Sequence, residues 1–183
     1  MDDWKAALKA DPTDWLLEPD NPSVRYFTLK DILDRPESSE EVQAAKREIM
    51  RSGIVPDILE KQREPVYLQS YPKFYTYKYE GLVWQLIALA ELGAEADPQI
   101  QEQCEYIFRN SQETGDGGFA MNAAAKTGGG RITEVIPCLT GNMVWSLARL
   151  GYVDDPRLQK AVGWITRFLR LNDGVEDDPQ VPP

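Results

Sequence analysis

Histidine is absent from all 183 residues, and its absence removes more chemistry than any residue present supplies. Without it the chain has no side chain that ordinarily acts as a base near neutral pH, no Ser-His or Cys-His pair, and none of the commonest zinc ligand. Catalysis would have to rest on carboxylates, Tyr, Lys or the two cysteines. Cys104 and Cys138 lie far from any CxxC spacing, so no metal or redox framework is legible and a reducing compartment fits. Excess positive charge is missing too: 20 Lys and Arg face 30 Asp and Glu, a formal net charge of -10. Phosphate backbones are held by Lys and Arg that displace counterions, which argues against a nucleic-acid partner. No run of roughly 18 or more apolar residues could form a transmembrane segment. The acidic start Met1-Asp2-Asp3-Trp4 lacks the basic and apolar regions of a secretory signal. The expectation is one cytoplasmic domain over residues 1–183 with no metal and no other cofactor.

What is present is a repeat. Leu89, Ala90, Leu92, Gly93, Asp97, Pro98, Gln101, Ile107 and Arg109 recur as Leu147, Ala148, Leu150, Gly151, Asp155, Pro156, Gln159, Ile165 and Arg167, an offset of 58 residues. Self-similarity at a fixed period marks a supersecondary unit that buries its apolar face by stacking on a neighbour. Each copy opens with a helix that is apolar nearly all round, built on Leu82, Val83, Trp84, Leu86 and Leu89 or on Met143, Val144, Trp145 and Leu147. Such a helix belongs in an interior layer. Gly93 and Gly151 supply the left-handed residue that ends it, and Asp97-Pro98 and Asp155-Pro156 start the next helix with an Asp cap and Pro at the first position. That second helix is amphipathic, with Ile100, Cys104, Ile107 and Phe108 on one stripe and Leu158, Val162, Ile165 and Leu169 on its counterpart.

A looser copy runs from Pro22 to Gln62. Asn21-Pro22 caps a helix to about Leu33, Pro36 breaks it, Ser39 opens another carrying Val42, Ala45, Ile49 and Met50, and a short helix covers Pro56 to Gln62. Residues 1–21 read as a helical extension with Trp4, Leu8, Trp15 and Leu16 packing on the first hairpin. The sequence therefore predicts an all-α fold of about three helical hairpins in two layers: 22–62, 80–112 and 140–171. An aromatic connection spans 63–79, a Gly-rich flexible loop 113–139, and an acidic, Pro-rich tail 172–183.

Gln112 followed by Asp116, Gly117, Gly118 and Phe119 resembles the Gln-to-Trp repeat of squalene and oxidosqualene cyclases, with Phe in place of Trp. The inner-helix segments 81–93 and 140–151 resemble repeats shared by those cyclases and the protein prenyltransferase β-subunits. The resemblance implies an α/α toroid and covers most of residues 80–174. Complete toroids of that superfamily have roughly twice as many hairpins, so it implies a partial toroid, either half of a longer protein or one that pairs with a second copy. The functional motifs of the family do not carry over. The nearest match to an Asp-x-Asp-Asp acid, Val175-Glu176-Asp177-Asp178, lacks its leading Asp. Asp154-Asp155 ends wrongly for a diphosphate-ionising motif, and a prenyltransferase-like zinc site would need His.

Candidate site residues follow from this frame. Tyr75, Tyr77, Tyr79, Trp84, Cys138, Asn142 and Trp145 are the candidates for contact with a ligand at the rim or wall of a central cavity, where flat π faces suit a polyene or a cation. Each has a structural alternative. The tyrosines, with Tyr67, Tyr71 and Phe74, would cover hairpin ends; the tryptophans would be core; Asn142 would cap its helix; Cys138 would be a small buried hydrophobe. Asp116, Asp173 and Glu80 are candidate catalytic acids, against the alternative that the two Asp-Gly pairs hold turns. Lys126-Thr127 precedes Gly128 to Gly130, the reverse of a phosphate loop. Three functions stay open: a non-catalytic toroid-like protein binding an apolar, isoprenoid-like molecule or a protein partner; a cyclase-like enzyme using carboxylates; and a half-toroid that docks another chain or copy.

Overall fold

The computed structural model describes residues 8–68 and 71–169, which are mostly helical and include no strand. Contacts group the chain into two units, Met1–Glu60 with Leu92–Ala94, and Lys61–Glu91 with Glu95–Pro183.

The first unit holds α1 (Thr13–Leu16), α2 (Pro22–Phe27), α3 (Glu40–Ile49) and most of α4 (Ile54–Lys61). The Asp11 carboxylate accepts the Thr13 amide at 2.9 Å and starts α1. The expected packing of this extension is not seen: Leu8 and Trp15 are 46% and 69% exposed, because one helical turn offers no continuous apolar stripe. Trp4 lies outside the described residues. Pro22 begins α2, yet the Asn21 side chain does not cap it. The helix continues as a π turn, Thr28–Ile32, in which the Leu33 amide donates to Thr28 O at 2.9 Å. Ser39 Oγ accepts from Val42 N to cap α3, with Glu40 and Glu41 in its first turn and Lys46 and Arg47 in its last, each placed to suit the helix dipole. α2 packs on α3, burying Tyr26, Leu29, Val42, Ala45 and Ile49. α4 begins two residues before the expected Pro56, which occupies its first turn, where a missing N–H breaks no intrahelical bond.

The second unit carries α5 (Pro65–Leu68), α6 (Leu82–Glu91), α7 (Pro98–Asn110), α8 (Pro137–Leu147) and α9 (Pro156–Phe168). α6 packs on both α7 and α8, and α8 packs on α9. Asp97 accepts the Ile100 amide and Asp155 the Arg157 amide, so both Asp-Pro starts are capped as the sequence predicts. Gly93 and Gly151 take φ of 76° and 94°, the left-handed region that a Cβ disfavours. After α8 the chain runs through a π turn, Ala148–Tyr152.

The core of this unit is aliphatic. Leu82, Leu86 and Leu89 of α6 and Leu139, Met143 and Leu147 of α8 are each at most 1% exposed. Burying each is worth about 1.5–3 kcal/mol, more than a typical neutral hydrogen bond at about 1 kcal/mol. Neither helix is buried on every side, however. Trp84, Ile87 and Ala88 of α6 are half-buried, and Asn142 and Trp145 of α8 are exposed. An apolar composition all round predicted burial all round, whereas contact with neighbouring helices uses only the opposite face. The α9 stripe also differs: Leu158 and Ala161 are buried, Ile165 and Leu169 half-buried, and Val162 is 37% exposed.

The connection before α8 is not the flexible loop expected. Antiparallel bridges join Gln112 to Phe119, Ala120 to Val135 and Ala123 to Gly130, and α8 starts at Pro137, inside the span assigned to that loop.

Two glycines should respond oppositely to alanine. A Cβ at Gly163, inside α9, meets nothing within 4 Å, so Gly163→Ala should raise unfolding free energy by about 0.5–1 kcal/mol. Gly151→Ala should lower it by about 1–2 kcal/mol through left-handed strain. Urea denaturation of both variants measures the two signs.

Candidate functional site

Helical spacing from the two inner-helix tryptophans defines one face. Trp84, Ile87 and Glu91 follow one another along α6, and the residues 58 positions on are Asn142, Trp145 and Arg149, all three exposed. Cys138, in the first turn of α8, is exposed at the same face's start. This corrects the reading of Cys138 as a buried hydrophobe and of Trp145 as core, since Trp145 is 39% exposed. Asn142 lies in mid-helix, so it does not cap α8; the cap position is Ile136. Ile87, Glu91 and Arg149 were not nominated from sequence, although counting three and seven residues on from Trp84, and four from Trp145, reaches them.

An aromatic cluster is fixed against the start of this face. Trp84 Nε1–H donates to Tyr75 O at 2.9 Å, and the Tyr75 ring stacks on the indole with centroids 5.6 Å apart and planes inclined by 27°. Tyr79, 80% exposed, tilts against the same indole at 6.2 Å. The Gln85 amide donates to Tyr79 O, fastening this segment to α6 a second time. The rest of the aromatic connection divides. Phe74 is fully buried and Tyr71 packs edge-on against Tyr106 of α7 at 4.8 Å, as a cover for the hairpin would. Tyr77 stands apart beside Lys73, whose ammonium is 5.7 Å from its ring. On α8 the Arg149 guanidinium lies 4.7 Å from the Trp145 ring centroid, and its Nε donates to Ala90 O at 3.1 Å, tying α8 to α6. Thus Tyr75 and Tyr79 each meet the Trp84 ring, while Trp145 has Arg149 as its ring neighbour.

The carboxylates proposed as acids are placed differently. Glu80 is exposed in the turn Lys78–Glu80 before α6. Asp116 pairs with Arg167 at 2.9 Å and is 46% exposed. Neither carboxylate is buried. Asp173 lies outside the described residues. Nor does Asp116 hold its turn: Glu113 does, its two oxygens accepting the Gly115 and Asp116 amides at 2.6 Å each. Burial pushes the Glu113 carboxyl up, but the amides of Gly115, Asp116 and Gly117 together with Lys160 outweigh it and set it below its ordinary value.

Gln112 completes the clamp. Its buried amide nitrogen donates to Gly117 O at 2.9 Å and to Arg157 O at 2.8 Å, joining the end of α7 to the first turn of α9. Phe119 is fully buried, and its amide donates to Thr140 Oγ1 of α8. Gly118 must be glycine because a Cβ there would lie 2.5 Å from Val135 and 2.8 Å from Trp164. The Gln-to-Phe segment is therefore a structural fastening. Gln62 does the same work one helix pair earlier: just past α4 and 2% exposed, its Oε1 accepts from Gln103 at 2.6 Å and Gln99 at 3.2 Å, both on α7. In the first unit a depression of about 500 Å³ is bordered by Pro22, Arg25 and the α3 glutamates Glu40, Glu41 and Glu48, none of them a candidate site residue from the sequence.

Among the described residues no group of three or more Cys, Asp or Glu side chains is arranged to hold a metal ion. No helix among them is long and apolar enough to cross a membrane.

Thiol reagents should separate the cysteines. Cys138 is exposed and should label in the native protein, whereas Cys104 is fully buried, with its thiol pushed up to about 12 by burial first and by Glu105 second. One equivalent of native labelling, rising to two in denaturant, is the expected count.

Gln112→Ala should cost about 1–3 kcal/mol by urea unfolding, because a buried carbonyl and a part-buried one lose their donor. Glu113 gives a pH signature. Its folded value is depressed below 4.5, so its contribution is complete above 4.5 and is lost as pH falls through the folded value. Glu113→Gln should accordingly show a smaller loss of stability between pH 5 and 3 than the parent in calorimetric melts.

Comparison of the chain with models of protein families, with curated proteins and with solved structures found no match.

Proposed function

We propose that this chain is a partial α/α toroid of the terpenoid-cyclase and prenyltransferase kind, acting in the cytoplasm, that binds an apolar, isoprenoid-like molecule on the exposed face of α6 and α8 without transforming it. The observation that carries this reading is a partly open face, where half-buried Trp84 and Ile87 stand at helical spacing on α6 and exposed Trp145 on α8, two helices that pack side by side. Leaving a large apolar side chain partly in water forgoes part of the roughly 1.5–3 kcal/mol that full burial is worth, and clustered apolar surface of that kind marks interaction sites. The aromatic cluster adds preorganisation: the Trp84 indole is held by its N–H and by a stacked ring, so little freedom is lost when a ligand covers it. The toroid is supported by the two glutamine clamps, each ending one helix and reaching the next amphipathic helix, and by the α6–α7 and α8–α9 pairing.

The cyclase-like enzyme is the weaker alternative, because Asp116 is ion-paired and Glu80 is exposed. Docking of a second copy or of a protein partner on the same face remains the other alternative, and the same experiment addresses it.

Titration with farnesol, followed by tryptophan fluorescence, should saturate, and Trp84→Ala and Trp145→Ala should each weaken binding at least about tenfold, the 1.4 kcal/mol expected of a lost aromatic contact. Product analysis should recover unchanged farnesol. Cyclised product would favour the enzyme. Absence of saturation, together with a dimer in sedimentation that Trp145→Ala dissociates, would favour docking.

A further inference from the structure

A depression of about 290 Å³ opens at α9, bounded by Gly115, Asp116, Lys160, Gly163, Trp164 and Arg167. Its meaning comes from the equivalent place on α7. Lys160, Gly163, Trp164 and Arg167 stand 58 residues on from Glu102, Glu105, Tyr106 and Arg109. On α7 the corresponding space is filled by the chain's own ring: Tyr71 packs edge-on against Tyr106 at 4.8 Å. Burial first and the nearby Glu102 carboxylate second push its hydroxyl up. On α9 the segment that reaches this place is the turn Gly115 to Gly117, which brings no ring, and the ring beside Trp164 is Phe168 of α9 itself, with centroids 5.3 Å apart. A Cβ at Gly163 would meet nothing within 4 Å, so the floor is open as well.

Charge is inverted at the same time. Glu102 is replaced by Lys160, and Arg167 lies one further turn along the helix. Lys160 donates to Thr114 O at 2.6 Å and Arg167 Nη1 donates to Asp116 Oδ1 at 2.9 Å. Each engages one proton there, of the three carried by an ammonium and five by a guanidinium. Of the charged groups lining the rim, Lys160 and Arg167 are cations and Asp116 an anion, and the Glu113 carboxylate under the turn lies near Lys160. Association of an anion with such a rim draws on charge-assisted hydrogen bonds, and the indole wall of Trp164 favours a flat ring over an aliphatic one.

We propose that this slot binds a small planar aromatic acid, with the ring against Trp164 in the place that Tyr71 takes on α7 and the carboxylate on Lys160 and Arg167. The volume lies at the lower end of the range of about 300–1,000 Å³ typical of ligand pockets, which restricts the occupant to one or two rings. The proposal is independent of the α6 and α8 face.

The test is titration of the full chain with benzoate, read from the Trp164 indole N–H signal in 1H–15N spectra, with Trp164→Phe used to assign it. Saturable shifts with a Kd near about 1–10 mM are expected, since a ligand of this size binds with roughly 3–4 kcal/mol. Lys160→Gln and Arg167→Gln should each weaken binding at least about fivefold. Gly163→Leu should abolish it by filling the floor, in a variant whose helical circular dichroism and melting are retained. Benzylamine should produce no saturable shift, and cyclohexanecarboxylate should bind more weakly than benzoate. An unmoved indole signal, equal response to benzylamine, or undiminished binding in both charge variants would overturn the proposal. If Gly163→Leu does not fold, the two charge variants decide.

Discussion

One primary amide holds the second unit's connections in register. Gln112 sits where α7 has ended and its last carbonyls need donors, and its buried side-chain nitrogen serves Gly117 O and Arg157 O at once. Both carbonyls belong to segments that other contacts hold as well, the Gly-rich turn through Glu113 and the first turn of α9 through the Asp155 cap. In the same fastening Phe119 reaches Thr140. Arg157 then works from a defined place, donating to both oxygens of Glu105 at 2.7 Å, to Asp155, and lying 4.0 Å from the Phe108 ring centroid. A bidentate pair of this geometry contributes more than a typical surface ion pair.

The helices were legible because their punctuation is local. Asp97-Pro98 and Asp155-Pro156 combine a cap with a residue that lacks the N–H a helix start cannot use, and the chain obeys both signals. Apolar spacing located Ile100, Cys104, Ile107 and Phe108 of the α7 core and missed only the buried Gln103, whose polar type hid it. The same spacing failed on α9, where Val162 is exposed, because the buried face depends on which neighbour is present and no local signal encodes that. The bridges of the 111–136 segment were hidden for a related reason. Their strands are single residue pairs, too short to show alternation, and the abundance of glycine read as freedom when Gly118 and its neighbours were needed for close approach.

Of the candidate site, residue types were readable and orientation was not. Trp84 and Trp145 drew attention as large rings in apolar helices, yet only the packing of α6 on α8 decides which side of each helix meets water. Cys138 and Asn142 were weighed as core and cap because the start of α8 was placed too late. Moving that start to Pro137 puts both on an exposed helical surface. Glu113 went unnoticed beside Asp116, although a carboxylate just ahead of a Gly-rich turn is the group whose reach allows it to gather successive amides.

The absence of histidine acquires a further meaning beside the placement of the acids. Glu37, Glu105, Glu113, Glu134 and Asp155 are all held below their ordinary values, and the buried thiol and several phenols are held above theirs. Across the interval of about pH 5 to 8, where histidine would ordinarily titrate, these particular groups therefore keep one charge state, and the clamps they form keep the same hydrogen bonds throughout it.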